Sequence, residues 1–255
     1  MGAERSDNRV DLIIVAVLWV ALTGAGLWWA TVTNLHPIGA SSNAVISDEA
    51  FDLLLYLSMP VTTFVVVVLG YSVLRFRVSP DETEDAAPVR SNRLFIAMWV
   101  LITVGLSVYV IFNPGFTGLD ALAADKNAEM TIEVTASQWR WDYRYVEENI
   151  EFLDADGLVL PVDTRILFKI TSQDLIHSFW VPAFRVKKDA VPGLITEVYM
   201  TTTKLGDFAQ DDGFRNQCAE LCGTGHTRMR TTVTVLTRVD FIAWVDAQRN
   251  AEVSG

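Results

Sequence analysis

Three apolar runs of membrane-crossing length occupy the first half of the chain, and the second half breaks into short alternating segments. Residues 12–32 carry no charged side chain, and about 20 such residues are what a helix needs to cross the hydrocarbon core. A second run covers residues 53–74 and contains Pro60, which is expected to kink rather than end the helix, because neighbouring helices in lipid satisfy freed backbone groups. The third run, 94–112, is closed by Asn113-Pro114-Gly115. A secretory signal is the competing reading of the first run. Signal cores are only about 7–15 residues long and a small-residue cleavage site follows them directly; neither holds here, so a retained helix is expected. Residues 33–50 contain no Lys or Arg, whereas Arg75, Arg77, Arg90 and Arg93 flank the loop between the second and third runs, and Arg5 and Arg9 precede the first. The positive-inside rule then places the N-terminus and loop 75–93 in the cytoplasm, the acidic residues Asp81, Glu82, Glu84 and Asp85 counting little. Residues 1–115 read as a membrane anchor with spans at about 12–32, 53–74 and 94–112.

From about Gly118 the period changes. Segments 130–136, 138–146, 165–171, 195–202 and 230–237 are rich in Val, Ile, Thr, Tyr and Trp and are separated by turn clusters such as Asp154-Ala155-Asp156-Gly157. That pattern predicts a Greek-key β-sandwich or barrel. The fold class is therefore a membrane-anchored all-β protein, with a β domain over 116–239. In Gln138-Trp139-Arg140-Trp141-Asp142-Tyr143-Arg144-Tyr145 the strict alternation predicts one face of Trp139, Trp141, Tyr143 and Tyr145 and an opposite polar face. Residues 240–255 read as a short amphipathic helix and tail, with Asp240 as N-cap and Phe241, Ile242, Trp244 and Val245 as its apolar stripe.

Composition sharpens this picture. The 255 residues are 51% hydrophobic, as a membrane protein requires. The net charge of −11 argues against nucleic acid as a partner. Residues 113–255 hold 14 basic and 21 acidic side chains, a surface that attracts a cationic partner with a strength that falls as salt rises. Two cysteines are too few for a disulfide scaffold.

Both cysteines fall in the stretch Gln217-Cys218-Ala219-Glu220-Leu221-Cys222-Gly223-Thr224-Gly225-His226-Thr227-Arg228-Met229. Thiolate, imidazole and thioether donors together suit copper, whereas oxygen clusters suit magnesium or calcium. Cys218 and Cys222 can face one another across a tight loop, and Gly223 and Gly225 let the backbone turn so that His226 and Met229 return to the same place. A disulfide explains the cysteines alone, since such bonds persist outside the membrane. It does not explain His226, Met229 or the distant His177 in Ile176-His177-Ser178-Phe179-Trp180-Val181-Pro182.

The segment Cys218 to Gly223 with His226 and Met229, together with His177 to Pro182 and Lys188-Asp189-Ala190-Val191-Pro192-Gly193, strongly resembles subunit II of the haem–copper cytochrome c oxidases. The resemblance runs from about Leu94 to Val239. It implies a cupredoxin-like domain on the outer, periplasmic side of a bacterial or archaeal plasma membrane. It implies a dinuclear copper centre (copper A) that takes electrons from cytochrome c, or a similar c-type donor, and passes them to haem in subunit I, where oxygen is reduced to water. The thiolates of Cys218 and Cys222 would bridge the two coppers. One copper would add Met229 and one of the imidazoles of His177 and His226, and the other copper the remaining imidazole and the backbone carbonyl of Glu220. The Glu220 carboxylate would help bind a magnesium or manganese ion shared with subunit I, and Trp139 would be the point where electrons enter. Subunit III is a further implied partner.

Two departures stand out. The family's usual anchor is a two-helix hairpin, so the first helix is additional. In many relatives a glutamate linked to proton entry follows Asn-Arg at the start of the last helix; here Asn92-Arg93 is followed by Phe95 and Ile96, which cannot carry protons, so that role is not transferred. No Cys-x-x-Cys-His follows the domain, which argues for a separate electron donor. A quinol oxidase subunit would lack the donor set, and nitrous oxide reductase would need more histidines than the three present. The copper-containing subunit of a nitric oxide reductase remains the alternative.

Overall fold

The computed structural model describes residues 2–77, 91–152 and 157–254. Arg90 and the acidic residues of loop 75–93, the turn at 154–156 and the side chain of Arg5 lie outside the described residues. The chain divides into two compact units, Met1–Leu35 with Glu49–Asn113, and His36–Asp48 with Pro114–Gly255.

The first unit is built from helices α1 (Gly2–Val32), α2 (Ser42–Arg75) and α3 (Arg93–Val110). Each contains a stretch long and apolar enough to cross a membrane. The first two are joined by polar contacts that a hydrocarbon surrounding favours, since unsatisfied donors there have no water to turn to. The Trp19 indole N–H donates to the carbonyl of Pro60 over 2.8 Å, and the Thr23 and Thr63 hydroxyls are 2.6 Å apart. Helix α2 runs on through Pro60, as expected of a proline in a membrane helix. Asn92 caps α3 by accepting from the amides of Leu94 and Phe95. After Val110 a distorted turn contains Pro114, and Asn113 leaves helical geometry (φ −138°, ψ 109°). Helix α4 (Thr117–Ala123) follows in the second unit.

That unit is a two-layered, curled β-sandwich of cupredoxin-like architecture. One layer has the order β3 (Ile150–Phe152), β2 (Arg140–Tyr145), β1 (Met130–Ser137), β5 (Arg165–Ser172), β8 (Thr196–Thr201). The other has β4 (Leu158–Pro161), β11 (Arg230–Leu236), β10 (Arg215–Cys218), β6 (His177–Val181), β7 (Val186–Ala190), with β9 (Gly206–Asp207) beside β11. Strands distant in sequence are neighbours: β1 pairs with β5 in parallel, and β11 with β4 in parallel. These are the crossovers of a Greek-key plan. Trp141, Tyr143, Tyr145, Phe168, Phe179, Phe184 and Phe214 are fully buried between the layers.

Three expectations change. Trp139 does not share the inward face of Trp141, Tyr143 and Tyr145; it precedes β2 and is 37% exposed. Asp142 on the opposite face is buried, and burial pushes its carboxyl pKa up although Arg140 lies 3.2 Å away. The C-terminal helix α5 (Arg238–Ser254) starts before Asp240, and its cap is Thr237, whose hydroxyl accepts from the Asp240 amide (3.1 Å) and donates to the Asp240 carboxylate (2.6 Å). The first of these bonds is an N-cap interaction with the third helical residue.

The connection from α1 to α2 is not a free loop. Ala40 donates to the Ala183 carbonyl and accepts from Thr203, and the Ser41 hydroxyl donates to Phe184. Arg185 pairs with Asp48 (2.8 Å) and donates to the carbonyls of Pro37 and Ile38. Residues 36–48 are thereby part of the β domain.

Candidate metal centre

Strand β6 begins with His177, and β10 ends with Cys218. The two strands pair antiparallel with Cys218 opposite Phe179, and on its other side β6 pairs with β7, His177 opposite Ala190. Both side chains are thus fixed by sheet hydrogen bonds before any ligand is considered. The loop 219–229 returns across them. Its ends are tied by Cys218 N–H to the Met229 carbonyl and Ala219 N–H to the Ser178 carbonyl, each 3.0 Å. Gly223 supplies the sharp turn, with φ +108°, a conformation that side chains disfavour. Gly225 has an ordinary φ of −92° and serves a different end: a Cβ there would come within 2.2 Å of the Trp139 ring. The loop is shaped so that this indole lies flat against its backbone.

The donor atoms converge. Cys218 Sγ and Cys222 Sγ are 3.7 Å apart and both are free thiols. His177 Nδ1 lies 3.8 Å from Cys218 Sγ, His226 Nδ1 3.6 Å from Cys222 Sγ, and Met229 Sδ 3.8 Å from Cys222 Sγ. The carbonyl oxygen of Glu220 is 3.2 Å from Cys218 Sγ, while the Glu220 side chain is exposed. Bonds of about 2.3 Å to sulfur and about 2.0 Å to imidazole nitrogen put neighbouring donors of a tetrahedral ion roughly 3.5–3.8 Å apart. The spacings match, so the residues present fit a thiolate–imidazole metal site. His177, Cys218 and Met229 are almost wholly shielded from water, and Cys222 is 1% exposed. Burial, and then the neighbouring Cys218, push the Cys222 thiol up to about 12. A thiol held that high ionises near neutral pH only beside a cation.

A surrounding shell of partners was not foreseen from the sequence. Asp174 Oδ1 stands 2.9 Å from His177 Nε2, leaving Nδ1 turned toward the sulfurs. Burial works to raise the Asp174 pKa, but hydrogen bonds from His177 and from the amides of Gln138 and Leu175 prevail and bring it down to about 2. Carboxylates in that position orient ligand imidazoles. The Trp141 ring meets His177 edge-on at 6.3 Å. The carbonyl of Cys222 accepts from Gln138 Nε2 (2.9 Å) and from Trp139 Nε1 (3.1 Å), so the exposed indole is hydrogen-bonded to the backbone of a cysteine in the cluster. The only hint in the sequence was an acidic residue three positions before His177.

Fold and site define a membrane-anchored, cupredoxin-like domain carrying a buried cysteine–histidine cluster that could hold a metal ion. Residues 147–236 match the family described as cytochrome c oxidase subunit II, periplasmic domain. A probable cytochrome c oxidase subunit 2 of Rickettsia bellii is 31% identical over 223 residues, covering 80% of this chain and 80% of that protein. A cytochrome c oxidase subunit 2 of Alkalihalophilus pseudofirmus is 29% identical over 247 residues, covering 94% of this chain and 68% of that protein. Among solved structures, the periplasmic domain of subunit II of cytochrome oxidase from Bradyrhizobium japonicum is 33% identical, with a TM-score of 0.45 over 49% of this chain and 96% of that one. The chain belongs to the cytochrome c oxidase subunit 2 family. It is a subunit of an oxidoreductase complex, with the β domain on the outer side of the membrane that its apolar helices anchor it to.

Proposed function

We propose that this subunit accepts electrons from a separate c-type cytochrome at a dinuclear copper centre and hands them to haem in subunit I of a cytochrome c oxidase. The observation that carries the reading is the gathering of two imidazoles, one thioether and one backbone carbonyl around two adjacent free thiols, each 3.2–3.8 Å from one of the sulfurs. Sulfur and imidazole donors without carboxylate select copper over magnesium or calcium.

When bound, the copper pair supplies a one-electron couple. The chain supplies the rest. Cys218, Cys222, His177, His226, Met229 and the Glu220 carbonyl would hold the copper pair. Asp174 holds the His177 ring with Nδ1 toward the sulfurs, and the buried walls exclude water, which keeps reorganisation small and tunes the potential. Trp139 is the electron entrance: its ring is partly exposed on one side and hydrogen-bonded through Nε1 to the Cys222 carbonyl on the other, a short route from surface to ligand. The exposed Glu220 carboxylate is a hard donor suited to a magnesium or manganese ion shared with subunit I. The acidic surface attracts a basic cytochrome. The plasma membrane of a prokaryote is the setting that fits.

The test uses the whole purified complex. Cys218→Ser or His226→Ala is expected to abolish the copper absorption and cytochrome c oxidation while haem remains bound. Normal turnover in either variant refutes the assignment.

A further inference from the structure

Helices α1 and α2 touch at two levels and separate between them. One level is the pair of contacts Trp19–Pro60 and Thr23–Thr63. The other lies at the opposite end, where Asp11 accepts from the Tyr71 hydroxyl (2.5 Å) and from Arg75 Nε (3.3 Å). Asp11 and Trp19 are eight residues apart, about 12 Å of helix rise. Between them lies a crevice of about 490 Å³. Its walls are one face of each helix: Leu12 and Val15 at i and i+3, and Phe64, Val68 and Ser72 at steps of four, as helical periodicity requires. Asp11 and Tyr71 form its rim, with Phe76 beside them.

The crevice is lined mostly by apolar side chains, and it reaches Asp11, just before the apolar run of α1, and Phe76, just after that of α2. The described residues at that end, 9–15 and 68–77, carry three arginines, Arg9, Arg75 and Arg77, against the single Asp11. Asp11 engages Arg75 through Nε, and the Arg75 side chain is 48% exposed. A net positive rim above an apolar slot, at the depth where headgroups lie, is complementary to a phosphate diester carrying a hydrocarbon chain. A soluble ligand would find few polar partners there, Asp11, Tyr71 and Ser72 being the polar lining residues.

We propose that this crevice binds one anionic glycerophospholipid, its acyl chain lying between Val15 and Val68 and its headgroup held by Arg75 and Arg77. The additional helix α1 thereby gains a function: it completes a lipid site that α2 alone cannot form. The inference rests on α1 and α2 being membrane-spanning.

The experiment places the whole complex in nanodiscs of mixed phosphatidylglycerol and phosphatidylcholine, with either lipid carrying a photoactivatable diazirine in its acyl chain, and maps the cross-linked peptides by mass spectrometry. Phosphatidylglycerol should label residues 12–15 and 64–72 in preference to phosphatidylcholine. Arg77→Gln should reduce that labelling about fivefold and Arg75→Gln/Arg77→Gln about thirtyfold. Val68→Trp, which fills the slot, should remove it while copper absorption and cytochrome c oxidation are unchanged. Equal labelling by both lipids, labelling confined to other faces, or displacement by a photoactivatable quinone but not by phosphatidylglycerol overturns the proposal. A generic apolar carbene reagent run in parallel distinguishes the two possible failures: if it does not label α1 and α2 at all, the membrane-spanning reading is what has failed.

Discussion

The candidate metal centre has two halves that are held in place by different means. His177 and Cys218 sit at the ends of paired strands, where the sheet sets their backbone and Asp174 sets the imidazole. Cys222, His226 and Met229 sit on a loop, and what fixes them is local: the positive φ of Gly223, the flat contact of Gly225 with Trp139, and two donors on the Cys222 carbonyl. A strand half of this kind is formed by folding alone. The loop half also depends on the indole proposed as the electron entrance, so a change at Trp139 is expected to reach the ligands.

The largest effect should follow removal of the loop sulfur that meets the strand half at Cys218. Cys222→Ser lies between Cys218, His226 and Met229, and copper content and cytochrome c oxidation by the purified complex should both fall to background. Next comes Gly225→Ala. Its Cβ would meet the Trp139 ring at 2.2 Å, and overpacking of this kind costs about 1–3 kcal/mol. The variant should bind copper more weakly and show altered Trp139 fluorescence, whereas the strand half keeps its geometry. If Gly225→Ala leaves both unchanged, the loop does not depend on the indole.

Asp174→Ala probes the strand half. Loss of an imidazole's orienting partner typically weakens metal affinity about 10–100-fold, measurable by competition with a copper chelator, and Asp174→Asn should recover part of it. A smaller effect is expected for Trp139→Phe, which keeps an aromatic ring and removes one hydrogen bond to Cys222. A neutral bond contributes about 0.5–1.5 kcal/mol, so electron acceptance, followed by stopped-flow, should slow by about two- to twelvefold and copper should be retained. Trp139→Ala should slow it further.

The same contrast explains how much the sequence disclosed. The donors were legible because cysteine, histidine and methionine carry their chemistry in their identity, and their grouping near Cys218 leaves few other readings. The aromatic residues Trp141, Tyr143 and Tyr145 were legible because a strand alternates. Trp139 broke that alternation because β2 starts one residue later and its ring is claimed by Gly225. Asp174 and Gln138 were not legible: each acts through a hydrogen bond to a residue that only the fold brings near. The attachment of residues 36–48 to the β domain was not legible, since backbone amides and carbonyls that bond to a distant segment leave no mark in the side-chain pattern. Thr237 was passed over for Asp240 because both are good helix caps, and only the reciprocal bond between them ranks one above the other.

The most direct test of the account is a map of copper anomalous scattering in crystals of the intact complex. The account predicts copper density in contact with both Cys218 and Cys222 and reached by His177, His226 and Met229. Continuous density joining the two sulfurs as a disulfide, or copper density that leaves either imidazole without contact, would contradict it.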